Sequence, residues 1–161
     1  MSAETLARLA TLRQRGVRAS EEIVQLGAPL VSTSARSKLG DAQWPLLEQV
    51  ALAALDIGQL RLATTCIAAL DTRFPDSPRV SALQGVALEA AGRPEQALQW
   101  YDHMLSLDES NGVAWKRKAA CLRSLGRVEE AVGELVKFLD TMYADADGWM
   151  ELADIYASVS Q

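Results

Sequence analysis

Histidine is nearly absent from this 161-residue sequence: His103 is the only one. Cysteine is scarce as well, with Cys66 and Cys121 far apart and no CxxC pair. A zinc cage takes four ligands, and one histidine with two dispersed cysteines cannot supply it unless carboxylates join. Both cysteines fall in stretches that read as helix, where a small buried thiol is the expected role, compatible with a reducing compartment. His103 stands between Asp102 and Met104 and reads as a solvated helix residue rather than a base or ligand. HExxH, GxSxG, a Walker A loop and GxGxxG are all missing. The sequence therefore assigns no catalytic, cofactor-binding or metal-binding residue, and an enzyme active site is not expected within it.

Two further shortages narrow the class. The most apolar run, Val50–Leu55, stops at Asp56 and falls well short of the roughly 20 residues that span a bilayer. The N-terminus lacks the apolar core of a secretory signal. Positive charge is also short, with a net charge of −5, which argues against a nucleic-acid partner. The charge is uneven. Arg8, Arg13, Arg15, Arg18, Arg36 and Lys38 outnumber Glu4, Glu21 and Glu22 in the first forty residues, and the acids dominate afterwards. The leading arginines resemble a mitochondrial presequence faintly, but an ordinary amphipathic first helix is the reading taken.

What the sequence does have is a period. Ala51, Gly85, Ala119 and Ala153 form one column, Gly58, Gly92 and Gly126 a second, and Ala63, Ala97 and Ala131 a third, each at intervals of 34 residues. A 34-residue period with small residues in these places is that of the tetratricopeptide (TPR) repeat, a pair of antiparallel helices. The small columns let two helices approach to roughly 8–10 Å, and the glycine permits the turn after the first helix. The fold class expected is all-α, a TPR-type helical-hairpin solenoid with an N-terminal helical cap.

In chain order, a helix is expected over 3–15, broken by Gly16. A second starts with Ser20 as its N-cap and runs to about Val31. A Ser-rich connector follows to Gly40. Residues 1–40 lie outside the repeat phase and read as the cap, and 41–161 as the array. Repeats are placed at 44–77, 78–111 and 112–145, with Pro94 in a first helical turn. A half repeat at 146–161 carries Trp149, Leu152, Ala153 and Tyr156 with no second helix to cover them. Either the sequence is a piece of a longer product or a partner completes the stack.

A TPR array binds through the groove lined by each repeat's first helix. In repeat phase that groove takes Glu48, Leu52 and Leu55, then Arg79, Ala82, Val86 and Glu89, then Lys116, Ala120 and Arg123, then Met150, Asp154 and Ala157. The mixture suits an amphipathic peptide or helix. Co-chaperone TPR proteins that grip a C-terminal carboxylate use Asn at positions that hold Leu52, Val86, Ala120 and Asp154 here. A carboxylate clamp of that kind is not expected. The run Lys116-Arg117-Lys118 fans across about 200° of a helix. Lys116 should point to the groove and Lys118 to a neighbouring helix. The run is either a solvated helix start or a contact for an acidic partner or a lipid headgroup surface.

Several stretches go beyond the general TPR pattern. These are Ser37-Lys38-Leu39-Gly40-Asp41 with Trp44, then Glu48-Gln49-Val50 and Ala53-Ala54-Leu55-Asp56 with Gly58. Arg73-Phe74-Pro75-Asp76-Ser77, Tyr101-Asp102, Lys116-Arg117-Lys118 and Glu151-Leu152-Ala153-Asp154-Ile155-Tyr156 follow. From about Ser20 to Tyr156 the sequence resembles the family of subunit 2 of the endoplasmic reticulum membrane protein complex. The resemblance implies a non-catalytic scaffold, peripheral on the cytoplasmic side of the endoplasmic reticulum membrane, in a complex that inserts tail-anchored and multi-pass proteins. It also implies partners: cytosolic segments of membrane-embedded subunits and a soluble subunit of MPN fold. Family members continue through further repeats. Charge then sets orientation and partner choice, and the partner-binding residues expected are Glu48, Leu52, Arg79, Val86, Glu89, Lys116, Arg117, Arg123, Met150 and Asp154. A TPR adaptor in another pathway, including a co-chaperone, is the alternative. An enzyme whose catalytic domain lies beyond residue 161 is a third.

Overall fold

The computed structural model describes residues 3–160, all of whose regular structure is α-helix or 3-10 turn. Met1, Ser2 and Gln161, the outer limits of the expected cap and half repeat, lie outside the described residues. Ten α-helices form among the described residues: α1 Ala3–Arg15, α2 Ser20–Gly27, the short α3 Thr33–Arg36, α4 Gln43–Asp56, α5 Leu60–Arg73, α6 Pro78–Ala90, α7 Pro94–Leu107, α8 Gly112–Ser124, α9 Val128–Thr141 and α10 Ala146–Val159. The chain divides into two compact units, Met1–Ala90 and Ala91–Gln161. No described helix is long and apolar enough to cross a membrane.

The glycine column does what its period demands. Gly58, Gly92 and Gly126 all take left-handed backbone, with φ of 77°, 75° and 77°. This conformation is costly for any residue with a Cβ, and it follows the ends of α4, α6 and α8. A further column, not recognised as such in the sequence, starts each following repeat. Ser77, Asn111 and Asp145 are 34 residues apart, and each side chain accepts from the backbone N–H three residues on: Val80 at 3.5 Å, Ala114 at 3.1 Å and Gly148 at 3.2 Å. These are N-caps that satisfy donors a helix start leaves unpaired. The tryptophans repeat in the same way. Trp115 Nε1 donates to the Glu109 carbonyl at 2.7 Å and Trp149 Nε1 to the Tyr143 carbonyl at 2.6 Å.

In the first unit, α4 packs against α2, α5 and α6, and α1 against α2. Leu9, Leu47, Val50, Ala51, Ala54, Ala63 and Cys66 are fully buried in this core. Gln49 is the buried polar residue among them, and both ends of its amide are engaged. Its Nε2 donates to the Leu9 carbonyl at 2.9 Å, while its Oε1 accepts from Arg13 Nη1 at 2.9 Å. The arginine-rich first helix is thereby fastened to α4. Arg8 reaches Glu22 of α2 at 2.7 Å. Arg18 forms a two-pronged pair with Asp56, at 2.7 and 3.0 Å.

Ser20 departs from expectation. Ala19 occupies the N-cap of α2 with no side-chain bond. Ser20 lies inside the helix and gives its hydroxyl to the Asp56 carboxylate at the end of α4 at 2.7 Å, a charge-assisted bond. α2 also ends sooner, at Gly27, where 3-10 turns take over to Leu30.

In the second unit α8 packs against both α7 and α9, and α9 against α10. Tyr101, Ala119, Cys121, Ala131, Leu135, Phe138 and Ile155 are buried at its centre. Leu152, expected to lie uncovered, is only 7% exposed. One turn of helix places it with Gly148 and Ile155 on the side of α10 that meets α9. Trp149 and Tyr156 lie on another side and remain 49% and 55% exposed, with Ala153 also exposed.

Candidate functional site

Among the expected groove residues of the first unit, Leu52 is 46% exposed and Arg79 is exposed, while Glu48, Val86 and Glu89 are half-buried. Leu55 and Ala82, also placed in the groove by phase, are buried, with 9% and 8% of their surface exposed. Glu48 Oε1 accepts from Arg79 Nε at 2.7 Å, so α4 and α6 are bridged across this surface. Sequence phase did not anticipate the contribution of the first helices. An open cavity of about 460 Å³ lies between the α1–α2 turn and α4, with Leu12, Arg13, Val17 and Arg18 on one wall and Glu48, Leu52, Asp56 and Arg79 on the other. Its one advance signal was the cluster of arginines before Ser20.

A second, smaller depression of about 300 Å³ shares Pro45, Glu48 and Arg79 with the first and is otherwise lined mainly by apolar side chains, among them Trp44, Phe74 and Leu83. Trp44 and Phe74 meet edge-to-face at 5.5 Å, and the Arg73 guanidinium lies 5.0 Å from the Phe74 ring centre. Such contacts fix aromatic side chains in place without desolvating the cation.

In the second unit the basic run separates by helix angle, as its spacing requires. Lys118 turns to its neighbours. Its Nζ lies 2.7 Å from Asp102 of α7 and 2.9 Å from Glu134 of α9, with only 15% of the side chain exposed. Burial works against this ammonium, yet the hydrogen bonds and charges of the two carboxylates outweigh it and raise its pKa. Lys116 is also engaged: Nζ lies 2.8 Å from Asp145 and 5.5 Å from the centre of the Phe138 ring. The hydrogen bond from Lys116 is the main reason the Asp145 carboxyl falls below its ordinary pKa.

Arg117 and Arg123 are half-buried, and Met150 and Asp154 are exposed on α10. Glu151 of α10 faces the basic row. Its burial raises its pKa, while the charges of Arg123, Lys116 and Arg117 pull the other way. Lys116 and Lys118 are thus each paired with acids of this unit. His103 is exposed on α7 with its ring 5.8 Å from that of Trp100. Among the described residues no three His, Cys, Asp or Glu side chains converge as a metal site would require.

Comparison with known proteins agrees with this construction. Residues 67–161 match the EMC2 TPR-like repeat domain. Over 149 residues the chain is 41% identical to ER membrane protein complex subunit 2-A of Xenopus laevis, covering 92% of this chain and 50% of that protein. It is 41% identical over 139 residues to the TPR repeat protein oca3 of Schizosaccharomyces pombe, covering 86% and 49%. The chain spans about half the length of the curated relatives it matches. Among solved structures, a thermophilic TPR protein of Thermus thermophilus is similar at a TM-score of 0.67 and 18% identity, covering 92% of this chain and 78% of that one. That likeness establishes the TPR fold alone. With the repeat columns, the capped helix starts and the family match in agreement, the chain belongs to the EMC2 TPR-like repeat family.

Proposed function

We propose that this chain is a non-catalytic TPR scaffold of the ER membrane protein complex. It sits peripherally on the cytoplasmic side of the endoplasmic reticulum membrane and supports insertion of tail-anchored and multi-pass proteins. The observation that carries this reading is the 41% identity over 149 residues to ER membrane protein complex subunit 2-A of Xenopus laevis. In this reading residues 1–40 cap the array that begins at 41. Partner-binding residues are Glu48, Leu52, Arg79, Val86 and Glu89 in the first unit, and Lys116, Arg117, Arg123, Met150 and Asp154 in the second. The partners are cytosolic segments of membrane-embedded subunits and a soluble subunit of MPN fold. Hairpin repeats suit such work because each adds a rigid helix face without needing a catalytic pocket.

The test is purification of the tagged chain from its own cells in a gentle detergent, with mass spectrometry of what accompanies it. Recovery at fixed ratio with several integral membrane subunits is the expected result. Recovery of heat-shock chaperones alone, or of nothing from the membrane fraction, overturns the reading in favour of a TPR adaptor elsewhere.

A further inference from the structure

The cavity between the α1–α2 turn and α4 differs in charge from the rest of the chain. Three arginines, Arg13, Arg18 and Arg79, stand around it against two carboxylates, Glu48 and Asp56. The chain as a whole carries −5. Two of those arginines also keep donors in reserve. Among the described residues, Arg79 spends only its Nε, on Glu48, and Arg13 only its Nη1, on Gln49. A guanidinium has five N–H donors in a planar fork that matches a carboxylate. Between these forks the surface is apolar: Leu12 and Ile23 are buried at the base, and Val17 and Leu52 are each 46% exposed.

The shape adds a second constraint. The Glu48–Arg79 pair separates this cavity from the Trp44–Phe74 depression, and both share Pro45. Two apolar hollows side by side fit a chain with spaced side chains better than one compact molecule. Trp44 lines the second hollow and Leu52 the first, eight residues apart on α4, which is roughly 12 Å at 1.5 Å per residue. Side chains at positions i and i+7 of a helical partner, about 10.5 Å apart along its axis and on one face, reach both.

From these observations we infer that the first unit docks an acidic amphipathic helix. Its apolar side chains at i and i+7 enter the two hollows, and its flanking carboxylates meet Arg13 and Arg79. The inference deepens the scaffold reading and rests on it for the source of such a helix.

The test is a fluorescence-anisotropy titration of the purified full chain with a labelled synthetic helix of about 18 residues. The peptide carries Leu at i and i+7 with Glu beside each, and a second peptide replaces every Glu by Lys. The acidic peptide is expected to bind, and to weaken about tenfold with Leu52→Glu and several-fold with Arg79→Ala and with added salt. Both positions are exposed, so far-UV circular dichroism should be unchanged. Equal binding of the lysine peptide, no binding of either, or indifference to Leu52→Glu overturns the inference. Since this titration needs no other subunit, the docking site and complex membership can fail separately.

Discussion

Two glycines seven residues apart should respond to the same substitution with opposite sign. Gly126 ends α8 with φ of 77°, and Gly133 lies inside α9 with helical backbone. A Cβ built at either one meets nothing within 4 Å, so neighbours contribute nothing and only the backbone term remains. At Gly126 an alanine is forced into the left-handed region, at a cost of about 1–2 kcal/mol. Reduced freedom of the unfolded chain returns part of this, leaving a net loss of roughly 1 kcal/mol. At Gly133 the alanine gains about 0.5–1 kcal/mol, as in any exposed helix interior.

The two variants should therefore differ by about 2 kcal/mol, or some 4–8 °C in midpoint for a chain of this size. Both fall in the second unit, so they weigh on the same transition. Urea unfolding followed by far-UV circular dichroism reads the difference. A shift of the same sign in both refutes the reasoning. So does a loss above about 3 kcal/mol for Gly126→Ala, since that would require a steric contact the open space lacks. Gly58→Ala and Gly92→Ala share the conformation and the open space and should reproduce the Gly126 value.

Other substitutions probe the packing and the ion pairs. Lys118→Met should cost about 2 kcal/mol in urea unfolding, because Glu134 is left nearly buried without its main partner, while exposed Asp102 regains water. Adding Glu134→Gln should recover part of that, and full additivity would show the pair to be uncoupled. Gly27→Ala should destabilise by about 1–3 kcal/mol, since its Cβ would overlap the Val50 side chain. Val50→Ala in the same background should relieve it, and a null effect of Gly27→Ala would contradict the contact. The Asp145 carboxyl, held below its ordinary pKa chiefly by Lys116, contributes stability above the unfolded-state value that is lost as pH falls through the lower folded one. The Gly148 amide resonance should follow that titration by NMR, and its midpoint at or above the ordinary aspartate range would refute the assignment.

Legibility from sequence followed physical cause. The glycine and alanine columns were plain because a left-handed turn and a close helix contact each admit few residue types, so the period survives in letters. The cap column was hidden because a helix start accepts Ser, Asn and Asp alike, and Ser77, Asn111 and Asp145 share a function without sharing a letter. Lys118 could be aimed at a neighbouring helix from its angle alone, but Asp102 and Glu134 lie on other helices and only packing brings them together. For the same reason Leu55 and Ala82 were misplaced: repeat phase gives a residue's angle on its helix, not how deeply neighbours close over it. The contribution of α1 and α2 to the first-unit cavity was signalled only by their arginines, because those helices stand outside the period that organised everything else.

The two cysteines, one in each unit, have an experimental use beyond packing. Both are fully buried, and burial pushes the Cys66 thiol up to about 11. A thiol reagent at neutral pH meets neither until the surrounding helices part. Labelling rates at Cys66 and Cys121 would then clock the opening of Met1–Ala90 and of Ala91–Gln161 separately, in the unmodified protein. Whether a binding partner slows one clock, the other or both would identify the half of the chain that it grips.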